Sequence, residues 1–129
     1  RTADAVREMR SAGAATVAVI CRTDEDCRQA AQWLADAGIE ATVLDAGQEE
    51  YLGGVSVIPV YWCKGLEFDS VLLLGVDEIR YQRNGRDAKL LYVGCTRALH
   101  RLRIMYTGQP SPLIQDIDSE RSEKVKLNQ

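Results

Sequence analysis

Several absences bound what this 129-residue chain can be. It contains no G-x-x-x-x-G-K-[ST] phosphate loop, so it does not build that nucleotide-binding cradle itself. No run of about 18 apolar residues occurs, which excludes a membrane-spanning helix. The start, RTADAVREMR, lacks the basic-then-apolar pattern of a secretory leader. It also lacks an initiating Met, so the chain is expected to be a piece of a longer protein. An excess of basic charge is missing too: the net charge is −3 and the pI is near 5.2. Nucleic-acid contact through bulk electrostatics is thereby excluded, and any such contact must be local. The four cysteines, Cys21, Cys27, Cys63 and Cys95, form no CxxC pair. They read as reduced thiols of a cytoplasmic protein, with no metal site.

What remains is an ordinary globular composition, 46% hydrophobic and 27% charged, in a length that suits one domain with one real core. Thr2–Ala12 reads as a short helix capped by Thr2. Thr16–Cys21 is a continuous β-rich run, as expected of a strand buried on both faces. After Arg22, Thr23 and Asp24 compete as N-cap of a helix that carries Cys27, Ala30, Ala31 and Leu34 and stops at Gly38. Ile39–Leu44, Val55–Val60 and Val71–Gly75 read as further strands. Asp45–Tyr51 is a polar connection, Tyr61–Phe68 a loop or helical turn, and Asn84-Gly85 a turn signal.

In the stretch Leu90–Arg103, Leu90, Leu91, Gly94 and Ala98 make one apolar stripe of a helix. Gly94 costs such a helix about 1 kcal/mol relative to alanine, so something must approach its backbone closely. A strand over Arg101–Tyr106 follows, where Arg101 and Arg103 alternate with Leu102 and Ile104 as in an edge or half-exposed strand. Strands alternating with helices predict an open parallel sheet covered on both faces, with ligands beyond the carboxyl ends of its strands. Arg22, Tyr61–Glu67 and Asp77–Glu78 are expected there.

Two segments carry chemistry. Lys64-Gly65-Leu66-Glu67-Phe68-Asp69 sets a base, a glycine and two acids between very apolar strands. Gly65 permits positive φ or a close backbone approach. Lys64 can meet a phosphate as a point charge, and Glu67 can accept from a sugar hydroxyl or a loop amide. The plain alternative is a charged turn with Leu66 and Phe68 tucked into the core. Arg97, three positions beyond Gly94, bears a planar, permanent charge that suits carboxylates and phosphates. Taken alone it would be a solvated helix arginine.

Together these pieces resemble a known family. Tyr61-Trp62-Cys63-Lys64-Gly65-Leu66-Glu67-Phe68-Asp69 is similar to motif V of the UvrD-like superfamily 1 DNA helicases. Leu91-Tyr92-Val93-Gly94-Cys95-Thr96-Arg97-Ala98 is similar to their motif VI, and Ala18-Val19-Ile20-Cys21-Arg22 to motif IV. The Ile-Pro-Val-Tyr approach to motif V resembles the HelD-like and helicase IV-like branches most. The resemblance implies an α/β fold, a three-layer RecA-like (P-loop NTPase-like) domain with a mostly parallel sheet that lacks its own P-loop. Residues 1–112 would form domain 2A, and 113–129 a partly disordered C-terminal tail.

The resemblance also implies roles. Arg97 would be the arginine finger on the ATP γ-phosphate, and Arg22 a second arginine beside it. Glu67 and Gly65 would contact the nucleotide. Tyr61, Trp62, Lys64 and Thr96 would meet single-stranded DNA or tie the motifs together. Mg2+ and the Walker lysine would belong to the missing N-terminal RecA-like domain 1A, leaving this chain as half an active site. An aromatic residue that many relatives carry before the motif IV arginine is replaced by Cys21, and no 2B domain fits between Arg22 and Lys64. HelD-like relatives remodel RNA polymerase, which makes that enzyme an alternative partner; a non-catalytic α/β binding module is a further alternative.

Overall fold

Two apolar layers on one parallel sheet define the architecture. The computed structural model describes residues 2–44, 53–116 and 122–126. In chain order these are α1 (Thr2–Ser11), β1 (Thr16–Cys21), α2 (Asp24–Asp36), β2 (Thr42–Val43), β3 (Gly54–Pro59), a 3₁₀ turn (Val60–Trp62), β4 (Phe68–Leu73), α3 (Gly85–Cys95), β5 (Ala98–Tyr106), a second 3₁₀ turn (Pro112–Asp116) and β6 (Ser122–Lys126). The six strands lie in the order β2-β3-β1-β4-β5-β6, and every pair is parallel.

The alternation of side chains along a strand explains the layers. On β1, Ala18 and Ile20 enter a cluster with Ile58, Leu73, Leu91 and Ile104 under α3. Val17, Val19 and Cys21 enter the opposite cluster with Met9, Cys27 and Leu34 under α1 and α2. A strand apolar on both faces can only be central, and β1 sits between β3 and β4.

Local chemistry fixes the ends of the elements. Thr23 rather than Asp24 caps α2, its side chain accepting from the Asp26 amide at 3.1 Å. Asn84 and Gly85 make a helix start instead of a free turn: the Asn84 side chain accepts from the Asp87 amide at 2.8 Å and caps α3. Gly94 is buried, and a Cβ there would meet Leu73 Cδ2 at 2.9 Å and Val60 Cγ2 at 3.3 Å. The close approach implied by the sequence is therefore the packing of α3 onto β4 and the first 3₁₀ turn.

Several expectations change: Thr2, read as a cap, is the first residue of α1, and Ala98, read on a helix stripe, opens β5. The strand expected over Ile39–Leu44 pairs only at Thr42–Val43. β4 starts at Phe68, earlier than the apolar run Val71–Gly75 suggests, because the Asp69 amide is caught by Thr16 Oγ1 at 2.8 Å. Of the two readings of Arg101–Tyr106, half-exposed holds and edge does not, since exposed and buried residues mix along β5 while β6 pairs along Leu102–Tyr106. Residues 122–126 thus form sheet within the segment expected as a tail. The connection Asp45–Tyr51 lies outside the described residues.

Candidate functional site

The path of residues 60–67 governs where the motif residues go. β3 ends at Pro59, level with Cys21 at the carboxyl end of β1, whereas β4 begins at Phe68, near the amino end. The connecting residues therefore run the height of the sheet on the α3 side. Tyr61 stays at the carboxyl end, half exposed, and its hydroxyl donates to Asp24 Oδ1. Trp62 packs partly buried on the α3-side cluster. Gly65 turns the chain with φ +87, where a Cβ would touch nothing within 4 Å, so conformation and not crowding calls for glycine. Lys64 and Glu67 are exposed. The expectation that Tyr61–Glu67 sits wholly at the carboxyl ends thus holds for Tyr61 and not for Lys64–Glu67.

Motifs V and VI meet at Arg97. Its Nε donates to Val93 O at 3.1 Å, one nitrogen reaches Leu66 O at 3.3 Å, and the other reaches Thr96 Oγ1 at 3.2 Å. The Thr96 hydroxyl in turn donates to Val93 O at 3.0 Å. The Arg97 carbonyl accepts from the Phe68 amide at 2.9 Å, which joins the start of β4 to the start of β5. Three neutral oxygens orient this guanidinium, and no carboxylate pairs with it among the described residues.

Arg22 is held differently. It is 17% exposed and donates to Asp87 Oδ1 at 3.0 Å, with Asp87 only 8% exposed. Asp87 also accepts from the Gln82 amide at 2.8 Å and from Asn84 Nδ2 at 3.2 Å. Burial pushes the Asp87 carboxyl up, but the Gln82 amide, Arg22 and Asn84 outweigh it and hold the pKa below its ordinary value. Asp87 lies in the first turn of α3 and Val93, the Arg97 acceptor, six residues on. At 1.5 Å per residue these two anchoring residues are about 9 Å apart along the helix. Both arginines lie on the α3 face of the sheet, each anchored to a different part of α3. A buried carboxylate claims Arg22, and nothing in the spacing of motif IV announced it. The Asn84-x-x-Asp87 capping pattern was the available signal.

A second ion-pair cluster braces the carboxyl ends. Arg80 grips Asp26 with two bonds, at 2.8 and 3.1 Å, and Asp77 with one at 2.7 Å. Asp77 also accepts from the Ile79 and Arg80 amides. Asp77, expected at the ligand end, thus shapes its own loop. The four cysteines are free thiols, and no cluster of metal-ligating side chains exists among the described residues. Burial pushes Cys63 to about 11 and Cys95 to about 12, so both stay protonated at neutral pH. No helix among the described residues is long and apolar enough to cross a membrane.

With this geometry in view, comparison with known proteins is informative. Residues 54–105, from β3 to β5, match the family model of the UvrD-like helicase C-terminal domain. The DNA helicase II proteins of Escherichia coli (strain K12) and Salmonella typhimurium are each 27% identical over 124 residues, covering 81% of this chain and 17% of theirs. The chain therefore spans about a sixth of the length of these curated relatives. The crystal structure of the C-terminal domain of a possible DNA helicase from Lactobacillus plantarum superposes with a TM-score of 0.78 at 29% identity, covering 94% of this chain and 73% of that one. Sequence over residues 54–105 and fold over nearly the whole chain agree: the chain is similar to the C-terminal domain of UvrD-like helicases.

Proposed function

We propose that this domain is the C-terminal motor half of an ATP-dependent DNA helicase or translocase, with Arg97 as the arginine finger on the ATP γ-phosphate. One observation carries the assignment: neutral oxygens aim the Arg97 guanidinium, whereas carboxylates engage Arg22 and Arg80. An arginine already neutralised by a partner offers little to a phosphoryl group. One that is oriented but unneutralised offers its full charge and its remaining N–H groups. ATP and Mg2+ would be held chiefly by the N-terminal RecA-like domain, and Arg97 would close the site from this side. Leu66 links that group to Gly65 and Glu67, so nucleotide contact and the path through Tyr61, Trp62 and Lys64 toward single-stranded DNA are mechanically joined. Arg22 would act as a second phosphate ligand only after leaving Asp87, which makes it secondary.

The test is ATP turnover by the full-length protein. Arg97→Ala is expected to lower kcat by roughly a thousandfold, in the range of other arginine fingers, and Arg97→Lys to recover little of it. Near-normal turnover in a folded Arg97→Ala protein overturns the assignment. No feature of the described residues favours the RNA-polymerase alternative.

A further inference from the structure

Arg22 and Arg80 are both paired with carboxylates near the carboxyl ends of the strands, yet they are held to very different degrees. Arg80 makes two bonds to Asp26 and one to Asp77. Arg22 has a single acceptor among the described residues, Asp87 Oδ1 at 3.0 Å. A guanidinium offers five N–H groups, so most of its donors are left for other acceptors. Its Nε is moreover buried with no partner among the described residues. A buried donor without an acceptor is costly, so a better set of acceptors would displace this pose.

Asp87, by contrast, is fixed from its other side. Its Oδ2 accepts from the Gln82 amide at 2.8 Å and from Asn84 Nδ2 at 3.2 Å, and its own amide donates to the Asn84 side chain at 2.8 Å. None of these three bonds passes through Arg22. The carboxylate therefore stays at the start of α3 when the guanidinium leaves, and only Oδ1 loses its partner. Arg22 follows the last residue of β1, the strand between β3 and β4. Beyond the carboxyl end of such a central strand, open α/β sheets meet their ligands. One guanidinium thus stands between a fixed internal anion and the place of an external one.

We infer that Asp87 is a latch on Arg22: it occupies the guanidinium until a terminal phosphate with more acceptor oxygens takes it over. The latch thereby sets how strongly the site distinguishes a nucleoside triphosphate from a diphosphate. The inference rests on the motor reading, in which Arg22 is the second phosphate ligand; Asp87 is a positioning residue there and touches no nucleotide. A single carboxylate oxygen is readily exchanged for a phosphate fork, whereas the three-bond grip on Arg80 is not. Only molecules with Arg22 released bind the terminal phosphate through it, so the apparent affinity is lowered by the fraction released. A nucleotide without that phosphate does not need Arg22 and carries no such penalty.

The test measures dissociation constants of the full-length protein for a non-hydrolysable ATP analogue, AMP-PNP, and for ADP, both with Mg2+. Asp87→Asn replaces a charge-assisted bond by a weaker neutral one. It should tighten AMP-PNP binding by about tenfold and leave ADP within about twofold. In an Arg22→Ala background the same substitution should change neither. Asn84→Ala, which loosens the start of α3 but keeps the carboxylate, should not tighten AMP-PNP binding. Equal tightening in Asn84→Ala, or unchanged or weaker AMP-PNP binding by folded Asp87→Asn, overturns the latch. A second measurement needs no Asp87 variant, should that protein not fold. With ¹⁵N-arginine labelling of the full-length protein, the Arg22 Nε–H signal, assigned through Arg22→Lys, should move on adding AMP-PNP and stay on adding ADP. A signal that ignores both nucleotides, or follows both alike, overturns the latch. Binding of neither nucleotide by the unmodified protein overturns the motor reading and the latch with it, whereas turnover of Arg97→Ala judges the motor reading alone.

Discussion

Arg22 and Arg97 carry the same group into opposite electrostatic settings. Arg22 is largely buried against Asp87, so removing the carboxylate would leave a charge without a partner. Asp87→Asn is therefore expected to destabilise the fold by about 3 kcal/mol at neutral pH, measured by urea unfolding. The pH dependence follows from the direction of the shifts. Asp87 and Asp26 both titrate below their ordinary values in the folded chain; burial opposes this, but amide and guanidinium partners win. Their contribution is present above the unfolded value, near about 4, and is lost as pH falls through the lower folded values. Unfolding free energy should drop steeply below about pH 4, and Asp87→Asn should flatten that drop. An equally steep drop in the variant would rule Asp87 out as a source of acid sensitivity. The sequence singled out Arg97 because its neighbours resemble a family pattern. It left the Arg22–Asp87 pair unseen, since 65 residues separate the partners and only the fold joins them.

At the scale of elements, α3 is specified by its packing as much as by its propensity. Gly94 lowers helix propensity, yet a methyl group there would press on Leu73 and Val60, which are both buried. Gly94→Ala gains about 1 kcal/mol of propensity and loses roughly 1–3 to overpacking, so a modest net loss of stability is expected. The stronger prediction is coupling: with Leu73→Ala the added methyl has room, and a double-mutant cycle should give about 0.5 kcal/mol or more of favourable interaction. Additivity within error would mean that Leu73 is not what Gly94 accommodates. Here the glycine was readable from sequence as an anomaly in a helix, although what it admitted was not. The short β2 and the early start of β4 were unreadable for a related reason. Both depend on bonds to residues far along the chain, such as Asp69 to Thr16.

For the whole molecule, the parallel sheet with helices on both faces followed from the alternation of strands and helices, and the structure agrees. The paired motifs resemble those of helicase C-terminal domains, and the comparisons find the same similarity. The purified 129-residue chain should hydrolyse ATP no faster than buffer, because in the proposed site the phosphate loop and metal ligands would come from another domain. Measurable turnover would mean that the chain builds a complete site by itself. One consequence comes from the strap of residues 60–67. It must descend about 20 Å along the sheet and cross about 10 Å sideways, whereas nine residue steps reach at most about 30 Å when fully extended. The 3₁₀ turn takes up much of that reach. The straight span is about 22 Å, and the turns at Val60–Trp62 and Cys63–Leu66 take up the rest of the strap: displacing Tyr61 at the upper rim would open those turns before it drew on the Leu66 carbonyl that steadies Arg97 at the lower one.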